Sequence, residues 1–151
     1  LVATHDPILI SLADRVVILD QGRIVQEGTP EEVCRRPASA FVTRFLGDTN
    51  RLVVDVRDGR AHLAGGSIAV PGVPDGAAEI YARPADLEWA TDGGGIDAEV
   101  LRVIDRPDSR RVVIRLASRE NVELDVEPDR VVSAGDHGFV RVRRASVFRL
   151  D

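Results

Sequence analysis

From Leu52 onward the chain alternates short apolar segments with clusters of Gly, Pro and Asp, and no helical pattern interrupts them. That alternation constrains the fold more than any other feature. Strands are expected near residues 52–56, 67–70, 79–83, 98–104, 112–116, 122–126, 139–143 and 146–150. Several short strands at this spacing build a small all-β barrel or sandwich. Aromatic residues are only 4% of the chain, so Val, Leu, Ile and Ala must fill the interior. Val-rich filling suits strands.

The first 49 residues read differently. Residues 1–4 form an apolar, strand-like run. Asp6-Pro7 then starts a helix, with Asp as N-cap, Pro at the first helical position and Ile8, Leu9 and Leu12 as its apolar face. Residues 16–19 and 24–27 read as a hairpin around the turn Asp20-Gln21-Gly22-Arg23. Thr29, Pro30 and Glu32 make a capping box for a helix that Pro37 ends. A further helix is expected over 38–46, with Phe41, Val42, Phe45 and Leu46 on one face and Gly47 as its C-terminal cap. The chain therefore divides into 1–49 and 50–151. The opening strand has no partner in residues 5–49, so the first piece is expected to be a remnant of a larger α/β sheet. Residues 50–151 are expected to fold alone.

Charge and composition exclude several roles. The net charge is −5, and all twenty basic residues are arginine. An acidic, aromatic-poor chain lacks the basic groove of an OB-fold nucleic-acid binder, so no nucleic-acid partner is expected. Without a lysine, no chemistry that needs one resides here. Cys34 is alone and forms no internal disulfide. His62 and His137 stand far apart in sequence and do not make a metal site, so no metal ligands are expected.

Thr4, His5 and Asp6 close an apolar run immediately before a helix. In open α/β sheets, ligands gather beyond the carboxyl ends of strands. A neutral imidazole there can hydrogen-bond a phosphate oxygen or orient a water. The alternative is a partly buried histidine that caps a loop. The run THDP…LADRVVILDQGRIVQEGTPEEV…RPASAFVTRFLG resembles the C-terminal part of the ATP-binding subunits of ABC transporters over residues 1 to about 50. That resemblance implies that His5 is the switch (H-loop) residue touching the γ-phosphate of ATP, with Asp6 beside it at a dimer-facing surface. Ala13-Asp14-Arg15 is similar to a structural segment of the family. Gly22 and Gly28 fit plain turn geometry. Pro7-Ile8-Leu9-Ile10 departs from the family, which often carries a longer, acidic stretch there. The family's phosphate loop, its lysine, its signature segment and its acidic base do not occur in these residues. ATP and Mg²⁺ are therefore expected cofactors of a complete subunit only, and this polypeptide alone is expected not to hydrolyse ATP.

Phe45-Leu46-Gly47-Asp48-Thr49-Asn50 and Ile80-Tyr81-Ala82-Arg83-Pro84-Ala85-Asp86-Leu87 resemble the junction and a strand–turn of the TOBE (transport-associated OB) domain of importer ATPases. The resemblance implies a regulatory and dimerisation domain over 50–151. Its partners would be a second ATPase subunit and membrane permease subunits, at the cytoplasmic face of the membrane. FLGDTNRL is most similar to sulfate/thiosulfate-type subunits, with molybdate, sugar, polyamine and iron importers sharing the layout. A small oxyanion is a candidate ligand, with Arg83, Arg102, Arg106, Arg110 and Arg111 as its possible holders. A solvated surface is the competing reading for the 106–111 run, and pairing with Asp86 or Glu88 for Arg83. Trp89, on a strand, reads as core or interface. A free-standing OB-like binding module without ATPase activity is the alternative to the transporter reading.

Overall fold

Gln21 and Gly22, with φ of 48° and 78°, turn the chain tightly between two antiparallel strands. Two consecutive left-handed residues match the right-handed twist of a hairpin. The strands are β1 (Val16–Asp20) and β2 (Arg23–Gly28). Three short helices accompany them: α1 (Pro7–Leu12), α2 (Pro30–Arg35) and α3 (Ala40–Phe45). The computed structural model describes residues 1–150, and the chain divides into Leu1–Thr49 and Asn50–Asp151.

The predicted N-caps of the first unit form, at Asp6 and at Thr29. Thr29 Oγ1 accepts from Glu32 N at 3.2 Å, and Glu32 Oε2 accepts from Thr29 N at 2.8 Å. Ser39 caps α3, accepting from Val42 N at 3.3 Å, so that helix starts two residues later than the sequence suggested. Gln26 fastens β2 to the link between α2 and α3. Its Nε2 donates to Arg36 O at 2.9 Å, and its Oε1 accepts from Ala38 N at 2.8 Å. Ile18, Val33, Val42 and Leu46 form a small buried core.

Residues 1–4 depart from expectation. They are exposed and form no strand. A strand needs a neighbour for its backbone groups, and no described residue pairs with this run. The first unit is thus a hairpin with three helices, and the expected α/β sheet is not seen among its described residues.

The second unit is all β. Its strands are β3 (Asn50–Arg57), β4 (Arg60–Leu63), β5 (Gly66–Ala69), β6 (Gly76–Ala82), β7 (Leu87–Ala90), β8 (Ile96–Asp105), β9 (Arg110–Leu116), β10 (Asn121–Val126), β11 (His137–Val142) and β12 (Ser146–Arg149). They make two five-stranded sheets, ordered β12-β6-β3-β4-β5 and β10-β9-β8-β11-β7, with every pair antiparallel. The second sheet curls until β10 lies beside β7. Leu52, Val54 and Ile80 from one sheet share a single core with Trp89, Ile114 and Leu124 from the other. Strands β4 and β7 were absent from the expected set, although Trp89 was placed on a strand. β4 is four residues long with one fully buried side chain, Ala61, too little alternation to show in the sequence.

Candidate functional site

His5 lies in the extended segment just before α1 and is exposed. Its neighbour Asp6 is the N-cap of that helix, with Oδ1 accepting from Ile8 N at 2.8 Å. Asp6 N in turn donates to Thr4 Oγ1 at 3.0 Å. The two side chains therefore differ in availability. Asp6 is committed to the helix start and itself brings negative charge there, whereas the imidazole of His5 stays open to solvent. No group of three or more His, Cys, Asp or Glu is arranged to hold a metal ion among the described residues.

The segment that carries His5 is uncovered, with apolar residues on either side of Thr4-His5-Asp6 in sequence. Helix α1 buries none of its residues, and Ile8 and Leu12 are 70% and 76% exposed. Residues 1–4, α1 and β1 border a groove of about 720 Å³ that includes Val2, Leu9, Val17, Leu19 and Phe45. A contiguous apolar surface of this kind marks a place where further protein normally packs.

The arginines of the second unit fall into two groups. Arg111 is only 5% exposed, which corrects the reading of residues 106–111 as a solvated run. Its guanidinium lies between two carboxylates on β10: Nη1 donates to Glu123 Oε2 at 2.7 Å, and Nε and Nη2 bond both oxygens of Asp125. The Asp125 bonds hold its pKa above the ordinary arginine value, and burial opposes them only in part. The cause of the misreading is register: Arg111 stands opposite Asp125 across the ladder, a pairing that local sequence does not display. Arg110 is likewise engaged, with Asp105 at 2.8 Å and with Arg130 O at 2.9 Å. Arg102 and Arg106 are exposed. Arg83 opens the turn Pro84–Asp86 through its carbonyl, which accepts from Asp86 N at 2.9 Å. Glu88 pairs with Arg143 at 3.2 Å instead of with Arg83.

One charged cluster escaped the sequence reading. Glu79 is 8% exposed on β6, bonded to Arg51 and accepting from Tyr81 Oη at 2.8 Å. The Tyr81 ring meets Phe148 edge to face at 5.9 Å. The available signal was a lone acid between small and apolar residues in Ala77-Ala78-Glu79-Ile80.

No family model matches the chain. Curated proteins do. The sulfate/thiosulfate import ATP-binding protein CysA 2 of Agrobacterium fabrum is 50% identical over 147 residues, which cover 96% of this chain and 43% of that protein. The protein named sulfate/thiosulfate import ATP-binding protein CysA in Brucella melitensis is 36% identical over 151 residues, 97% of this chain and 42% of the relative. Its namesake in Burkholderia mallei is 42% identical over 133 residues, 84% of this chain and 37% of the relative. Over the length it spans, the chain is similar to these import ATP-binding proteins at up to 50% identity. It spans less than half the length of these import ATP-binding proteins. The resemblance carried by THDP and FLGDTN is thereby borne out at the level of the family. Among the described residues, no helix is long and apolar enough to cross a membrane.

Proposed function

We propose that the chain is the C-terminal portion of the ATP-hydrolysing subunit of an ABC importer for an inorganic anion, sulfate or thiosulfate in the first place and molybdate in the second. The observation that carries this reading is identity of 50% to an import ATP-binding protein across 96% of the chain. The open apolar groove beside His5 supports it, because that surface suits coverage by the remainder of a nucleotide-binding domain.

In this reading residues 1–49 belong to the ATPase domain and residues 50–151 form the TOBE-type domain that pairs two subunits. The curled sheet, with β10 returning to β7, fits an OB-like barrel. ATP with Mg²⁺ supplies the free energy that drives transport. This chain's own contribution is one exposed imidazole, which as the neutral tautomer accepts or donates a hydrogen bond at a phosphate oxygen or a water. Asp6 fixes the start of α1 and thereby the backbone that carries His5. In this reading the polypeptide by itself, which includes no lysine, does not hold the nucleotide and does not turn it over. The subunit works at the cytoplasmic face of the membrane through its permease partners.

A chimera tests the proposal. This chain replaces the matching C-terminal part of the Agrobacterium relative, and ATP binding and hydrolysis are both measured. The expected result is an active chimera, loss of hydrolysis with retained ATP binding in His5→Ala, and no hydrolysis by the 151-residue chain alone. A folded, ATP-binding chimera whose turnover ignores His5→Ala overturns the role of His5. Hydrolysis by the isolated chain overturns the reading of the polypeptide as a portion.

A further inference from the structure

On the outward face of the second sheet, the register sets His137 opposite Glu99 and Glu99 opposite Arg115. One step along, Phe139 stands opposite Asp97. The middle strand thus presents two carboxylates, and β9 with the turn after it presents two guanidiniums, Arg115 and Arg119. These groups border a concavity of about 500 Å³ within the second unit.

Opposite charges directly across a ladder ordinarily pair. Here they do not. Among the described residues, no ion pair or side-chain hydrogen bond engages Asp97, Glu99, Arg115, Arg119 or His137. Nearby Arg110, Arg111, Arg141 and Arg143 are each bound to an acid. Arg119 also holds φ at +76°, a left-handed conformation that a residue other than glycine adopts only at a cost. Its amide donates to Leu116 O at 2.8 Å, which keeps the turn in this form.

We propose that this groove binds a free α-amino acid, carboxylate toward Arg115 and Arg119, ammonium toward Asp97 and Glu99, and an apolar side chain beside Phe139. A simple anion at the arginines meets repulsion from the neighbouring carboxylates, and a simple cation meets the converse. A ligand with both charges on one carbon satisfies both rows, which lie on strands about 4.8 Å apart. Guanidinium and carboxylate give the strong, bidentate form of the contact. The inference goes beyond transport and stands independently of it.

The test uses the full chain, labelled with ¹⁵N, titrated with L-leucine. Two half-ligands serve as controls: isocaproate, which lacks the ammonium, and isoamylamine, which lacks the carboxylate. L-Leucine is expected to give saturable shifts at the amides of 97–99, 115–119 and 137–139. Each half-ligand is expected to bind at least about tenfold more weakly, ~1.4 kcal/mol. Asp97→Asn and Arg115→Gln each weaken L-leucine binding about tenfold by the same measure. Both side chains are exposed and unbonded, so the amide spectrum away from the groove stays unchanged in these variants. Absence of saturable shifts with L-leucine overturns the proposal, as does equal binding of a half-ligand or unaltered binding in both variants.

Discussion

The side-chain amide of Asn50 pairs with the backbone of Glu123 in both directions: Nδ2 donates to Glu123 O at 2.7 Å, and Oδ1 accepts from Glu123 N at 2.7 Å. Nδ2 also reaches Ala82 O at 3.2 Å. Asn50 begins β3 of one sheet, and Glu123 sits on β10, the edge strand of the other. One side chain therefore joins the two sheets and satisfies edge groups that would otherwise be open to another chain. Asn50→Ala is expected to destabilise the β unit by about 1–2 kcal/mol, measured by urea unfolding. Asn50→Asp is expected to cost at least as much, because it turns a carboxylate toward two carbonyl oxygens. Stability of the Asp variant equal to wild type would show that the amide donors contribute nothing.

Arg111 makes the same kind of link within one sheet, but with charge. Truncation to Met leaves Asp125 and Glu123 facing each other without their counterion. Asp125 and Glu123 keep side-chain exposures of 26% and 50%, so the loss is expected to fall below that of a fully buried pair, at about 1–2 kcal/mol. Replacing both acids by Leu in the Arg111→Met background is expected to recover part of that loss, since no uncompensated charge then remains. Chemical denaturation of the single and the triple variant checks both statements. A triple variant less stable than Arg111→Met would sink the account.

Gly138 lies under the only tryptophan. A Cβ at this position would come within 2.6 Å of Trp89 Cζ2 and 2.6 Å of Ala90 O. Neither neighbour yields easily, the carbonyl because it belongs to the strand and the ring because it is buried in the core. Gly138→Ala is expected to destabilise by about 2 kcal/mol and to shift the Trp89 emission to the red as the ring moves toward water. Unchanged emission with unchanged stability would mean that the corner relaxes freely.

How far these relationships were visible in the sequence depends on their range. Thr29, Pro30 and Glu32 announced α2 because a capping box spans three residues, and the turn at Gln21-Gly22 announced the first hairpin for the same reason. Eight of the strands in the second unit were legible as short apolar or alternating segments, from β3 to β12, whereas β4 and β7 were not. Long-range partners were not legible. Asn50 and Glu123 are 73 residues apart, and Arg111 read as solvent-facing until register set it against Asp125. His5 and Asp6 were identifiable by type, whereas the row His137–Glu99–Arg115 draws one residue from each of three strands and leaves no local trace. Residues 1–4 show the converse failure. Their composition is that of a strand, and composition alone does not supply a partner.

Glu32 gives a prediction with a sign. Its carboxylate is held below the usual glutamate range, first by the hydrogen bond from the Thr29 backbone, then by that from the Thr29 side chain, with Arg15 and Arg36 adding smaller attraction. A folded-state pKa below the unfolded one means that the unfolded chain takes up the proton first. The contribution of the capping box is then complete above the ordinary glutamate range and fades as pH falls through the lowered folded value. The Thr29 amide resonance is expected to report that titration, with a midpoint below that of an unperturbed glutamate. Glu32→Gln keeps an oxygen for the Thr29 amide but has no proton to gain, so its Thr29 resonance is expected to stay flat over the same range. A Thr29 midpoint at or above the ordinary glutamate value would show that the two Thr29 hydrogen bonds do not outweigh desolvation, and that the helix start is held by Pro30 and the Thr29 hydroxyl alone.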